Sequence, residues 1–277
     1  MLVAQQYPYL LSYFVYSMSA QTMKTTKDIR IAVLIDADNV PSANVKAMLE
    51  EIAKYGTPTF KRIYGDWTKP NLGGWKNVLL ENAITPIQQY GYTTGKNSTD
   101  SAMIIDAMDI LYSDKVDAFA IVSSDSDFTK LAIRLREAGM TVIGLGERKT
   151  PSPFIVACDK FIYLEILIPA IAQVTAAKVK VEPGKPERKV QAVAIQKVDR
   201  ETINLISNSI SDLADDSGWA FLGEVGNLII KKQTDFDPRN FGYSKLAPML
   251  KSIHKFEVDE RETDKKGIKL VYVRVKA

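Results

Sequence analysis

Residues 29–172 predict an α/β domain, a mostly parallel sheet with helices on both faces, and residues 198–277 predict a small domain of three helices closed by a β-hairpin. Three observations carry this reading. From residue 29 onward, short apolar runs alternate with segments whose apolar residues recur every three or four positions, the pattern of buried strands joined by amphipathic helices. Aspartates recur where the apolar runs end, at the rim where open α/β sheets hold ligands. After residue 172 the composition shifts, and a stretch rich in bases, with Pro and Gly, precedes a second periodic region.

The elements follow in order. Residues 1–28 form an N-terminal extension whose first 20 residues carry no charge. They imitate the apolar region of a signal peptide, but there is no basic start, and Pro8, Tyr7, Tyr9, Tyr13 and Tyr16 interrupt the run. Met23, followed at once by Lys-Thr-Thr-Lys-Asp and a core strand, suits an over-long gene model better than export, so a cytoplasmic location with no membrane partner is expected. Residues 31–35 make the first strand, 45–55 a helix facing inward through Val45, Met48, Leu49 and Ile52, and 59–64 the second strand. Gly73 and Gly74 weaken the start of the next helix, whose face is Trp75, Val78, Leu79 and Asn82, before a strand at 85–88. Ser98 is the expected cap of a long helix with Met103, Ile104, Met108 and Leu111 inward. A strand at 117–122 runs into a helix at 128–138, ended by Gly139, and a strand at 140–145 follows. Pro151 and Pro153 open a short helix, 161–164 reads as an edge strand and 165–172 as a last helix.

Composition limits the chemistry. The chain has 277 residues, 46% hydrophobic and 25% charged, enough for one large and one small globular domain. A single Cys, Cys158, excludes a disulfide framework and a cysteine-built zinc site, and a single His, His254, excludes a His-rich metal centre. Any metal must then be held by oxygen. Residues 29–168 carry 15 Lys and Arg against 17 Asp and Glu, whereas 169–277 carry 19 against 15, so the basic excess lies in the back of the chain.

The acidic residues fall at matching places. Asp36 ends the first strand, Asp66 follows the second, Asp100 lies in the first turn of the helix begun by Ser98, and Asp125 and Asp127 follow the fourth strand. Each has an ordinary structural explanation: Asp127 as a helix cap, Asp100 as a complement to a helix dipole, Asp38 or Asn39 as a cap after Pro41. Capping leaves Asp125 without a structural task. Together these carboxylates would repel one another unless a divalent cation neutralises them or one is protonated, and an all-oxygen cluster suits Mg²⁺ or Mn²⁺.

Three motifs, Ile35-Asp36-Ala37-Asp38-Asn39, Lys96-Asn97-Ser98-Thr99-Asp100 and Ser123-Ser124-Asp125-Ser126-Asp127-Phe128, resemble those of the NYN domain of the LabA-like family, a branch of the PIN-like nucleases, over about residues 29–167. The resemblance implies a PIN-like sheet and a metal-dependent ribonuclease site. In matching positions Asp36, Asp100, Asp125 and Asp127 form the catalytic and metal-holding set, Asn39 orients Asp36, and Lys96 approaches a phosphate. Asp66, Ser123 and Ser124 are supporting residues; many relatives carry Gly where this chain has Ser124. With no Ser/His or Cys/His pair available, the cation would have to supply the nucleophile by activating water. The run Leu34-Ile35-Asp36-Ala37-Asp38-Asn39-Val40 also resembles the aspartyl-phosphate motif of haloacid-dehalogenase-like phosphatases, with Asp36 as nucleophile, but that pattern leaves the 96–100 motif unexplained.

Residues 173–197 read as a flexible basic linker through Pro183, Gly184 and Pro186 and the bases between Lys178 and Lys189. Beyond it, 199–213 is an amphipathic helix through Ile203, Ile206, Ile210 and Leu213, 219–221 a short strand, and 222–231 and 243–253 further helices. Strands at 256–259 and 268–275 flank a basic hairpin tip at Asp264-Lys265-Lys266-Gly267. This order makes a winged helix-turn-helix and, with Gly218-Trp219-Ala220-Phe221 and Phe241-Gly242-Tyr243-Ser244-Lys245, resembles the LOTUS or OST-HTH domain. That resemblance implies an RNA partner, with Lys245, Lys265 and Lys266 as candidate contacts, and leaves open a homodimer or protein partner through this domain. A non-catalytic RNA-binding regulator is the alternative to a ribonuclease.

Overall fold

In the computed structural model, which describes residues 28–68, 70–90, 98–167, 196–262 and 269–276, the apolar runs of the first half lie side by side in one six-stranded, all-parallel sheet. In chain order its elements are β1 (Arg30–Asp36), α1 (Val45–Ile52), β2 (Thr57–Gly65), α2 (Trp75–Glu81), β3 (Thr85–Gln88), α3 (Ser98–Tyr112), β4 (Ala118–Val122), α4 (Thr129–Glu137), β5 (Thr141–Gly146), α5 (Ser152–Ala157) and β6 (Lys160–Tyr163). The strand order is β3-β2-β1-β4-β5-β6. From β1 the chain winds outward to β3, then returns across the sheet to β4 and winds outward the other way, so β1 and β4 flank the point where the winding reverses. A crevice opens at the carboxyl ends of the two strands on either side of such a point.

Why these strands occupy the middle is legible in their residues. Ile31, Val33 and Ile35 alternate with Ala32 and Leu34, and all five are buried, because helices cover both faces. One face packs with Val45, Met48 and Ile52 of α1 and Trp75 and Leu79 of α2, the other with Met103, Ala107 and Ile110 of α3 and Leu131 and Leu135 of α4. Each such fully buried Leu, Ile or Val contributes about 1.5–3 kcal/mol. On α3, Asp106 accepts from Arg62 and from the Tyr64 hydroxyl, fixing that helix against β2. Where the strands begin, Asp117 accepts from the Arg30 main chain (2.9 Å) and guanidinium (2.9 and 3.0 Å).

Several local expectations need correction. The helix expected at 128–138 opens with a 3₁₀ turn, Ser126–Phe128, and its capping carboxylate is Asp125, not Asp127. The Asp125 side chain accepts from the Asp127 N–H, so the residue that seemed to lack a structural task has one. Neither Asp38 nor Asn39 caps the turn after Pro41. The described part of α3 begins at Ser98, and the cap expected there lies outside the described residues. At the start of the expected last helix the described chain has a 3₁₀ turn, Leu164–Leu167, and the rest of that expectation lies outside the described residues, as do nearly all of the N-terminal extension and most of the basic linker.

The second domain consists of α6 (Arg200–Leu213), β7 (Ala220–Phe221), α7 (Leu222–Lys232), α8 (Leu246–Ser252), β8 (Phe256–Glu262) and β9 (Lys269–Val275), with the three strands forming an antiparallel sheet in the order β7-β9-β8. Asp199 caps α6 by accepting from Thr202 N–H at 2.7 Å. The third helix is shorter than its apolar pattern suggests: a 3₁₀ turn, Pro238–Phe241, and Gly242 at φ +82° come before it, a left-handed conformation that suits Gly. Ile206, Ile210, Val225, Ile229, Met249, Leu250 and Val273 fill the core.

The two domains touch through specific bonds. Phe161 N–H donates to Thr234 O at 2.9 Å on the edge strand, and Tyr163 OH donates to Asp235 at 2.8 Å. Arg239 forks onto both carboxylate oxygens of Glu51, each at 2.8 Å, and also onto Asp237 at 2.9 and 2.7 Å. Among the described residues no helix is long and apolar enough to cross a membrane.

Candidate active site at the switch point of the sheet

β1 ends at Asp36 and β4 runs into Ser123, so the reversal of winding places these two residues side by side. Asp36 is 1% exposed. Its carboxylate accepts from Asn39 Nδ2 at 2.7 Å, Ser123 Oγ at 2.8 Å and Asp38 N at 3.1 Å. Burial pushes its pKa above the usual carboxylate range, and these three hydrogen bonds pull the other way. Ser123 also joins the two strand ends, because the hydroxyl that donates to Asp36 accepts from Asp125 N–H at 3.0 Å.

Around this fixed pair lie the other acids. Oxygens of Asp100, Asp125 and Asp127 come within 4.8 Å of one another, with Asp100 and Asp125 half-buried and Asp127 exposed. Asp100 is raised to about 6, first by burial and then by the charges of Asp36, Asp125, Asp127 and Asp38. The charges that act on it most strongly are thus all of its own sign. This set meets the demands of a hard divalent cation: oxygen donors only, close enough to share one ion. Asp36 is not part of the trio but borders it.

The remaining candidates separate clearly. Asp66 is buried and closes the turn after β2, where Oδ1 accepts from Thr68 N at 3.2 Å, Thr68 Oγ1 at 2.6 Å and Gln88 Nε2 at 3.0 Å. Ser124 Oγ accepts from Glu147 N–H at 2.9 Å and so ties the loop after β4 to the loop after β5. Lys96, Lys265 and Lys266 lie outside the described residues, and Lys245 is exposed at the start of α8. Of the two side chains with nucleophilic or base chemistry, His254 is exposed in the second domain, whereas Cys158 is buried, its thiol pushed up to about 12. Neither lies at the acidic site.

Other residues at this rim escaped the sequence reading. Lys130 lines the same depression as Asp100 and Asp127, while Glu147 and Lys149 line one shared with Asp38 and Asn39. The available signal was positional: Glu147, Arg148 and Lys149 directly follow β5, at the same end of the sheet as Asp36 and Asp125.

Comparison with known proteins finds two families in the chain. The model of the NYN domain matches residues 30–165, and that of the OST-HTH/LOTUS domain matches residues 194–268. Among solved structures, a protein of unknown function from Vibrio parahaemolyticus is 20% identical, the match covering 50% of this chain and 94% of that one with a TM-score of 0.43. An uncharacterized protein from Nitrosomonas europaea is 30% identical over 36% of this chain and 93% of its own, with a TM-score of 0.27. A Chromobacterium violaceum protein segment is 30% identical over 29% and 86%, with a TM-score of 0.23. No curated protein matches the chain.

Proposed function

Because this chain joins an NYN domain, of the PIN-like nucleases, to a C-terminal OST-HTH/LOTUS domain, we propose that it is a ribonuclease of the LabA-like kind, dependent on Mg²⁺ or Mn²⁺, that hydrolyses RNA phosphodiesters. The observation that carries this reading is the convergence of Asp100, Asp125 and Asp127 within 4.8 Å, where burial and neighbouring carboxylates raise the Asp100 pKa. When bound there, a divalent cation would activate water and neutralise charge on the scissile phosphate.

The protein's own groups have distinct tasks in this proposal. Asp100, Asp125 and Asp127 hold the ion. Asp36, fixed by Asn39 and Ser123, keeps negative charge beside that set and orients the Ser123 hydroxyl, whose other bond positions the Asp125 main chain. Asp125 in turn fixes the position of Asp127 through its N–H. Asp125 and Asp127 are thus preorganised by a continuous chain of hydrogen bonds from the end of β1, and Asp100 reaches them from the first turn of α3. Lys130, beside Asp100 and Asp127, is suited to meet a phosphate oxygen. The phosphatase alternative requires Asp36 to attack substrate, a task poorly suited to a side chain 1% exposed and held by three hydrogen bonds.

Incubation of the purified protein with labelled single-stranded RNA and Mn²⁺ or Mg²⁺, followed by EDTA, tests the proposal. Cleavage that needs the cation is expected. Asp100→Asn and Asp125→Asn should each cut its rate by orders of magnitude while the fold and RNA affinity persist, and each should shrink the rise in melting temperature that the cation gives the wild type. Wild-type hydrolysis of a small phosphomonoester with RNA left intact would refute it.

A further inference from the structure

Where the domains meet, a cleft of about 480 Å³ lies between the loop joining β5 to α5 and the C-terminal end of α7. Arg136, Arg148, Lys231 and Lys232 line it, against Asp235 as the one carboxylate among its lining residues. Asp235 already accepts from Tyr163 OH at 2.8 Å. Asp159 and Asp212 pair with Arg136 and Lys232, at 2.9 and 2.6 Å, through exposed side chains that solvent screens.

Arg148 is placed differently. Its guanidinium lies over the Tyr163 ring, 5.3 Å from the centroid, and its Nε and Nη2 are buried with no hydrogen-bond partner. Glu165 accepts through Oε1 from the Arg148 main-chain N–H at 2.8 Å, and no described residue forms an ion pair with the guanidinium. Glu165 Oε2 is likewise buried without a hydrogen-bond partner, so the guanidinium has a carboxylate close by but no closed ion pair with a described residue, which leaves it able to take up an added anion. A phosphate fits the planar fork of a guanidinium.

The cleft adjoins the acidic site. Ser152 lines the cleft and Pro153, the next residue, lines the depression that contains Asp100, Asp127 and Lys130. The Ser124 Oγ bond to Glu147 N–H further ties the loop carrying Arg148 to the loop carrying Asp125. A polynucleotide leaving the acidic residues over the start of α5 therefore enters the basic cleft directly.

We propose that this inter-domain cleft is a phosphate subsite for the backbone of single-stranded RNA, with the half-buried Arg148 as its anchor and Lys231 and Lys232 supplied by the second domain. The choice of RNA rests on the ribonuclease reading above; the site itself rests on the unpaired guanidinium and on what surrounds it. The second domain would then do more than tether RNA, since it completes a wall of the path that leads to the scissile linkage.

The test uses the full-length protein and a labelled single-stranded oligoribonucleotide, with binding measured in EDTA across a salt series and cleavage measured in Mn²⁺. Arg148→Met and the double variant Lys231→Ala/Lys232→Ala should each weaken binding tenfold or more, and the salt slope should fall by about one for each phosphate that the variant no longer neutralises. In cleavage, KM should rise with kcat little changed, and the Mn²⁺-induced rise in melting temperature should be retained. Inorganic phosphate should compete only weakly; competition as strong as that of RNA would mark a free-anion site and overturn the proposal. Wild-type affinity and salt slope in both variants would also overturn it, and the exposed lysine pair keeps that outcome readable should Arg148→Met fail to fold. If no cation supports cleavage and yet both variants lose RNA affinity, the subsite stands and the nuclease reading falls.

Discussion

Glu51 and Asp237 share the boundary between the domains with a guanidinium, whereas Asp100, Asp125 and Asp127 share the rim of the sheet with one another. At the boundary both carboxylates are buried, 4% and 7% exposed, and Arg239 bonds to all four of their oxygens. Burial alone would push Glu51 up, but the bonds from Arg239 and Lys54 outweigh it and hold Glu51 below its ordinary value. At the rim the sign is opposite: burial and like charges raise Asp100 to about 6. Carboxylates are neutralised by a guanidinium where they hold the domains together, and gathered with others of their own sign where the chain places its candidate chemistry. Arg30 and Asp117, at the opposite end of the central strands, follow the boundary's rule.

The comparison breaks most severely at Arg239. Arg239→Ala would leave two buried carboxylates without their partner, a change that typically costs about 3–5 kcal/mol. Urea unfolding should show that loss, along with separate transitions for the two domains. A loss below about 1 kcal/mol would mean that the fork is not what secures the boundary.

At the rim the expected sign is reversed and the size smaller. Asp100 binds its proton more tightly in the folded chain, at about 6, than at its ordinary 3.8, so between those pH values the folded state holds the extra proton and stability falls as pH rises. Below and above that window this group adds no slope. In EDTA, Asp100→Asn should therefore stabilise the protein near pH 7 by on the order of 1–2 kcal/mol, discounted for its partial exposure, and flatten the decline between pH 4 and 6. Some slope should survive, because Asp36 is raised in the same direction. Cation affinity should climb through pH 6 as Asp100 gives up its proton. An Asp100→Asn variant whose stability changes with pH over that interval just as the wild type's does would contradict the account of the rim.

Much of this contrast was open to sequence reasoning, and the physical reasons for success and failure differ from residue to residue. Ile31 to Ile35 and Ala118 to Val122 announce buried parallel strands by their apolar continuity, and Asp36 and Asp125 sit where such strands end. Local pattern misassigned the cap after β4, because Asp125 and Asp127 are equally good acceptors and only the 3₁₀ geometry of Ser126–Phe128 decides which of them bonds back. The expectation of a flexible tether did not foresee that Arg239 would reach Glu51, 188 positions away in the chain. Neither residue belongs to a motif, and pairings of that kind have no local periodicity to reveal them. Likewise Arg148 reads as one more surface base until Tyr163 and the second domain close over it.

The smallest expected effect lies at Ser124, and it bears on how the two halves of the rim are held together. Its hydroxyl accepts from Glu147 N–H at 2.9 Å, fixing the loop after β5, which carries Arg148 and Lys149, to the loop that carries Asp125. Ser124→Ala removes that acceptor and leaves the Ser123 bonds to Asp36 and to the Asp125 main chain untouched. Because Glu147 is only partly buried, its N–H can turn to water, and the stability loss should stay below about 1 kcal/mol. The acidic trio should keep its cation affinity, since Asp125 and Asp127 are ordered through Asp36 and Ser123 and Asp100 sits on α3. The freed loop, in contrast, should hold Arg148 less firmly, and RNA affinity should fall a few-fold. Titrating both ligands against the one variant separates these effects. A loss of cation affinity equal to the loss of RNA affinity would show that the two loops form a single unit, and that Asp125 and Asp127 are not ordered through Ser123 alone.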